Sequence, residues 1–474
     1  MDLAEFGNKC FAAIVANTGS DAAHITVRFQ GAELPVGDFT KIPVGSGATL
    51  TYNDYDTSAG LAAGEVAVLF LGGPSGAAPA CPVSTAVKSS SFTGTGIGAS
   101  FEIETDVPVA AYEINPYGTK SSVTGSSLLL PTSVWGTEYL AVNAFGEGRS
   151  NTFSTIPGSG PSFNVIASED GTQITIMPSV PIVGGGAIPA NQNRDQFSIV
   201  LAKGQHAQLT QPAELTGTTI TSNKPVGFMA GQPCMNVPIT FDFCDHGEQM
   251  IPPVNAIGSH YAAAMYRPRV AGETETYWRV VGIVDGTQLT YSRPVGGPAT
   301  LSGGQKVLFE TGTPFEVSSQ DAEHPFLLFE YMSGADVTNS SAGDPEFVLQ
   351  VPVDQYLDHY VFFADPNFPE TNLVVIRKRD TQGEFRDVTL DCAGVIGGWQ
   401  AIGTDFEFTR VDLSTGNFQD VGSCSTGRHE MSSDAPFGLW VWGWGAATTT
   451  PASGRVSYGY PAGMSVQSIN SVQF

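Results

Sequence analysis

The sequence predicts an all-β protein made of four internal repeats, each of about eight antiparallel strands. Three observations carry that prediction. The chain is poor in charge and rich in turn formers, with 14% charged residues and with 55 glycines and 31 prolines among 474 residues, a balance that suits many short strands and disfavours long helices. Hydrophobic residues make up 41%, enough for a packed core. Most directly, three motifs return in the same order along the chain, which is the mark of a repeat architecture.

The first motif is a strand, a Ser/Thr or Asx turn, a proline and an apolar strand. It appears as Phe101-Glu-Ile-Glu-Thr-Asp-Val-Pro108-Val-Ala-Ala-Tyr112, as Thr221-Ser-Asn-Lys-Pro225-Val-Gly-Phe-Met229, as Val317 through Pro325 to Phe329, and as Ser432-Ser-Asp-Ala-Pro436-Phe-Gly-Leu-Trp440. The four prolines are 117, 100 and 111 residues apart. A short polar side chain closes such a turn on its own backbone, and proline costs least at the first position of a strand, so a tight hairpin is expected. The second motif places a tyrosine eight residues after a proline: Pro131 and Tyr139, Pro253 and Tyr261, Pro352 and Tyr360. The third sets alternating strands around Asp-Gly, from Phe163 through Asp170-Gly171 to Met177 and from Trp278 through Asp285-Gly286 to Tyr291, again a hairpin signal. Looser copies run from Phe11 to Phe29 and from Asn372 to Leu390.

These motifs divide the chain into repeats at 11–135, 136–257, 258–356 and 357–474. The offset of eight from Pro461 falls on Ile469, so 469–474 reads as a strand opening a further unit, while the first unit lacks that strand. Pairing the terminal strand with repeat 1 would remove both free edges and give a closed, propeller-like array. Four tandem β-sandwiches are the alternative, since each repeat is also of sandwich size.

Six cysteines, Cys10, Cys81, Cys234, Cys244, Cys392 and Cys424, show no zinc-ligand spacing. Six cysteines allow fifteen pairings, and the one joining sequence neighbours is Cys10 with Cys81, Cys234 with Cys244 and Cys392 with Cys424. Such bridges belong to an oxidising compartment and imply a secreted or cell-surface location. No stretch approaches the ~18 apolar residues of a membrane span. Lys and Arg number 21 against 46 Asp and Glu, a formal net charge of −25, and no basic run exceeds Arg377-Lys378-Arg379, so nucleic acid is excluded as a partner.

The chain resembles the family named for the N-terminal part of the IgG Fc-binding protein of mucus, and is most similar to its bacterial secreted relatives. The residues behind this are Leu128-Leu-Leu-Pro131-Thr-Ser-Val-Trp-Gly136-Thr-Glu-Tyr139, Ala167-Ser-Glu-Asp-Gly171-Thr, Leu215 through Pro225-Val, Cys244-Asp-His-Gly-Glu-Gln-Met-Ile-Pro-Pro253, Phe437-Gly-Leu-Trp-Val-Trp-Gly-Trp444 and Val456-Ser-Tyr-Gly-Tyr-Pro461-Ala-Gly463. The resemblance implies a secreted or cell-surface protein of adhesive or binding type. It supplies no catalytic motif.

Three groups of residues are candidates for a site. Asp242, Asp245, His246 and Glu248 crowd beside the Cys234–Cys244 pair in a segment read as a loop, where carboxylates and an imidazole suit a divalent cation or acid–base work. They equally suit a solvated acidic loop pinned by its bridge. Asp54 and Asp56, within Asn53-Asp54-Tyr55-Asp56, place oxygens at alternate positions as calcium needs, without the glycine and distant glutamate of a full calcium loop. Calcium is thus the only cofactor the sequence leaves open. Trp442 and Trp444 share one face of a strand with Trp440, an aromatic stripe able to stack on sugar rings. Core packing competes, because the counterpart strand of another repeat is a core strand carrying Val226 and Phe228; Trp444 is the one expected nearest to solvent. Together these readings give a non-catalytic adhesion or binding protein that recognises a glycan or protein through inter-strand loops. A self-assembling surface or fibre component and a secreted carbohydrate-active hydrolase or lyase are the alternatives.

Overall fold

The computed structural model describes residues 9–73, 80–88, 92–118, 123–146, 160–241, 244–340, 342–446 and 454–474. Among the described residues nearly every element is a strand, and the helical ones are a four-residue turn at Val36–Phe39 and single 3-10 turns. All strand pairs in the named sheets are antiparallel.

One pairing scheme recurs, in full in the second, third and fourth repeats and with one outer partner fewer in the first, and the repeated prolines explain it. In the second repeat the long strand Thr219–Met235 contains Pro225. Its first half pairs with Gly136–Leu140 and Thr172–Met177, and its second half with Ser162–Ala167 and Asp245–Met250. Gly427–Trp444, carrying Pro436, behaves alike: its first half pairs with Leu357–Ala364 and Val388–Leu390, its second with Glu370–Lys378 and Ser457–Pro461. In the other repeats the two halves are separate strands, Phe101–Thr105 and Val109–Asn115, then Phe315–Ser318 and Phe326–Met332. Each proline therefore marks the place where a shared strand leaves an outer layer and enters an inner one, where a missing N–H interrupts no ladder.

The Asp-Gly turns cross between the same layers. Ser162–Ala167 pairs with the inner half of the shared strand and Thr172–Met177 with the outer half, so neither motif makes the hairpin expected of it. A hairpin turn of that type would need positive φ at both residues; here only the glycines have it, at 67° for Gly171 and 77° for Gly286. The turn re-aims the chain along one partner instead of reversing it against itself.

The inner edge of every repeat is a short strand: Gly125–Leu129, Asp245–Met250, Glu346–Leu349 and Ser457–Pro461. These four converge on one centre, each packed against two of the others. Gln249 Nε2 donates to the carbonyls of Ser126 at 2.7 Å and Gly459 at 3.1 Å, and the Gly459 N–H donates to Ser126 Oγ at 2.9 Å. Glycine is required at this centre, since a Cβ on Gly125 would stand 2.4 Å from the His246 carbonyl oxygen and one on Gly459 2.7 Å from Val348 Cγ2.

Behind the centre the sheets are unequal, with six, eight, four and nine strands and three smaller sheets besides. Four equal eight-stranded blades of a closed propeller are accordingly not the description of this chain. Tandem sandwiches fail too, because the cores run across repeats: Ile14, Tyr112 and Leu128 share one cluster with Phe362, Leu439 and Tyr460. The expected terminal strand is a second correction. Residues 469–474 form no strand and do not reach repeat 1. The Ile469 N–H donates to Asn255 O at 2.8 Å, and Asn470 Nδ2 donates to the carbonyls of Val254 and Ile257, both at 2.8 Å. The 3-10 turn Val254–Ala256 uses the Val254 carbonyl for its own Ile257 N–H, and the terminal segment adds a second donor there and donors to the carbonyls of Asn255 and Ile257. All three disulfides join sequence neighbours, and among the described residues no cysteine is free.

Candidate functional site

Repeat 1 faces repeat 2 across a cleft of about 1130 Å³. One wall is the corner of repeat 1, where Phe101, Ile103 and Val109 alternate with polar residues on the two halves of the shared strand; the opposite wall is the inner sheet of repeat 2, with Asn164, Ile166 and Met229. Glu102, Glu104 and Asp106 stand at the rim, where Lys203 pairs with Glu102 and Arg28 with Glu104. Ser100 and His206 meet in the same wall, Oγ to Nδ1 at 3.0 Å, and burial holds the His206 imidazole down to about 4.

The floor is acidic and closed. Glu113, from the inner half of the repeat 1 shared strand, and Glu248, from the inner strand of repeat 2, both line it and are 8% and 3% exposed. Desolvation, followed by the charge of Glu248, drives the Glu113 carboxyl well above its ordinary value; desolvation alone raises Glu248, to about 7. His246 stands beside them, with Nε2 3.4 Å from Glu248 Oε2 and Nδ1 2.9 Å from the Asn115 carbonyl oxygen. Further in, desolvation and then the nearby Asp344 and Glu346 push Asp245 well up. Kept protonated, such carboxyls act as hydrogen-bonding groups within the core and carry no charge there.

Asp245, His246 and Glu248 therefore lie on a buried inner strand, and the expected solvated loop is corrected. The reason is packing: Asp245–Met250 is the edge that repeat 2 contributes to the common centre, and all six of its residues are buried. Asp242 falls outside the described residues. Asp54 and Asp56 do not converge on a shared ion. Asp54 pairs with Lys41 at 2.7 Å, while Asp56 Oδ1 accepts from the Ser58 N–H at 2.8 Å and the Ala59 N–H at 3.2 Å to close its own turn. Trp442 and Trp444 are 0% and 1% exposed, in one cluster with Trp440 and Tyr266, so no sugar can stack on them and the expected exposure of Trp444 is wrong. Asp391, Cys392 and His429 bring three donor atoms within 4.8 Å of one another, but the Cys392 sulfur is bonded to Cys424 and offers no thiolate.

The sequence reading passed over Glu113, though a signal was present. Val109-Ala-Ala-Tyr-Glu113-Ile and Phe326-Leu-Leu-Phe-Glu330-Tyr each hold one carboxylate in an apolar run, five residues after the repeated proline, and a lone acid in a strand bound for the core announces a buried polar role.

A model of the family described as IgGFc binding protein matches residues 125–443 of the chain. A human protein named IgGFc-binding protein is 26% identical over 330 residues, which cover 68% of this chain and 6% of the human one. The chain thus spans a small part of that relative's length. No solved structure matches.

Proposed function

The chain belongs to the IgGFc binding protein family, and from that premise we propose that it is an extracellular, non-catalytic module that captures a protein partner in the cleft between repeats 1 and 2. The observation that carries this reading is the cleft itself, about 1130 Å³ with apolar walls and a polar rim, on a framework tied by three disulfides. Those bridges fit an oxidising compartment, and no described helix is long and apolar enough to cross a membrane. A preformed cleft binds without first ordering its own loops, which preserves affinity. Adhesion at a cell surface extends the same reading. A protein partner is favoured over a glycan because the tryptophans that would stack on sugar are core residues. Catalysis is disfavoured because the serine–histidine pair in the wall has an imidazole held at about 4, too weak a base near neutral pH.

The test uses a photoreactive side chain placed at Ile103 in the cleft wall or at Val395, which is 60% exposed in repeat 4. Immunoglobulin Fc, the ligand for which the human relative is named, is the first defined partner, followed by secreted proteins from the same source. Cross-links from position 103 and none from 395 are expected, with Ile103→Glu abolishing capture while the melting temperature holds. Cross-links from 395 alone, or capture indifferent to Ile103→Glu, would overturn the reading.

A further inference from the structure

The floor of the cleft carries more than protein capture alone requires. Glu113 and Glu248 both line the floor of the cleft, both are more than nine-tenths buried, and the Oε1 atom of each has no hydrogen-bond partner. The contrast with repeat 3 is informative. Glu330 holds the position equivalent to Glu113, and its Oε1 accepts the Tyr266 N–H at 3.0 Å. That carboxyl is satisfied from within the fold, whereas the one opening on the cleft is not. A buried acceptor left unmatched costs free energy that a methionine or glutamine in its place would avoid.

We infer that the Glu113–Glu248 pair is the receptor for an arginine side chain of the protein partner, the guanidinium bridging the two carboxyl groups and its aliphatic stem lying against Met229 and Met250. This rests on the cleft being the capture site. The chemistry of each part agrees. Two carboxyl groups at a dead end cannot both be charged, and a cation between them removes that conflict. Guanidinium offers five N–H donors in a planar fork, which matches paired carboxylates better than the point charge of an ammonium group. The thioethers of Met229 and Met250, both lining the cleft, give the methylene stem an apolar, adaptable wall. Glu102, Glu104 and Asp106 at the rim add an acidic approach for a basic segment.

The defined probe is Nα-acetyl-arginine methylamide, set against its citrulline counterpart, which keeps the shape and loses the charge. Calorimetric titration of the full chain near pH 8 is expected to show roughly tenfold tighter binding of the arginine compound, the scale of one charge-assisted hydrogen bond over a neutral one. The double variant Glu113→Gln, Glu248→Gln should erase that preference, because amides keep the shape and lose the charge. Equal binding of the two probes, or a preference that survives in the double variant, overturns the proposal. Should the variant fail to fold, carboxyl carbon resonances of the wild-type chain replace it: arginine must shift those of both Glu113 and Glu248, and unmoved signals overturn the assignment. The two readings fail separately. Capture that depends on Ile103 with no arginine preference would leave the cleft as the binding site and sink only the receptor pair; an arginine preference without cross-links from position 103 would do the reverse.

Discussion

Burial raises three carboxyl groups above their ordinary range, Glu330 to about 8, Glu248 to about 7 and Asp365 to about 6. Desolvation is the leading cause in each, and it acts against the charged form. The consequence for stability has a definite sign. An unfolded glutamate loses its proton near 4.5, whereas folded Glu330 keeps it to about 8, so between those values the folded state binds more protons. Stability is then fully present below the unfolded value and is lost as pH rises through the folded one. Calorimetric melting should give a higher midpoint at pH 5.5 than at pH 8. Glu330→Gln, which keeps the acceptor for the Tyr266 N–H and has nothing to titrate, should flatten that slope; a midpoint that climbs with pH across the window would show the attribution to be wrong. The acidic net charge of −25 pulls in the same direction through self-repulsion, and the variant separates the two effects. Among the buried carboxyl groups, Glu113 and Glu330 were legible as lone acids in apolar strands. Glu346 was not, because Pro-Glu346-Phe reads as an ordinary turn until the inner strand is seen to be buried.

A proline and a tyrosine eight residues apart make one structural device, repeated three times. After the proline comes a 3-10 turn, at Thr132–Val134, Val254–Ala256 and Val353–Gln355. The tyrosine then folds back. Tyr139 OH accepts the Gly136 N–H at 3.0 Å and donates to the Val226 carbonyl at 2.6 Å; Tyr261 OH donates to Phe326 O at 2.6 Å; Tyr360 OH accepts the Leu357 N–H at 3.0 Å and donates to Phe437 O at 2.5 Å. Val226, Phe326 and Phe437 each follow the proline of the corner motif, so the hydroxyl locks the entry of one strand to the bend of another. Tyr261→Phe removes a fully buried donor and leaves the Phe326 carbonyl unmatched, and should cost about 1–3 kcal/mol in urea unfolding; a loss no larger than that of an exposed tyrosine would show that the hydroxyl is not the lock. The spacing was plain in the sequence while its meaning was not, because the partner carbonyl lies 65 residues away and no local rule points to it. The fourth repeat keeps Pro461 and has Ile469 where the tyrosine would stand, and there the Ile469 N–H donates to Asn255 O at 2.8 Å.

At the scale of the molecule the recurring motifs were readable and the division into sheets was not. Repeats follow from recurring residues, whereas sheet membership depends on where a 17-residue strand such as Thr219–Met235 bends, which pairing on both sides decides. The same separation of local from global bears on the disulfides. They close sequence separations of 71, 10 and 32 residues, and in the loop-entropy model the first should contribute about 4 kcal/mol and the second about 3 kcal/mol. Cys10 and Cys81 also stand beside the cleft: Lys9, Phe11 and Gly73 line it, and a Cβ on Gly73 would meet Cys81 Sγ at 3.3 Å. Cutting this bridge frees one end of the cleft wall, while the inner strands remain held by their own ladders and by the shared centre. Cys10→Ser with Cys81→Ser should therefore lower the urea midpoint more than Cys234→Ser with Cys244→Ser. In a dithiothreitol titration of the wild-type chain, partner capture should disappear before the sheet signal in circular dichroism. Simultaneous loss of both signals would mean that the bridge supports the whole fold evenly and that the cleft is not its particular dependent.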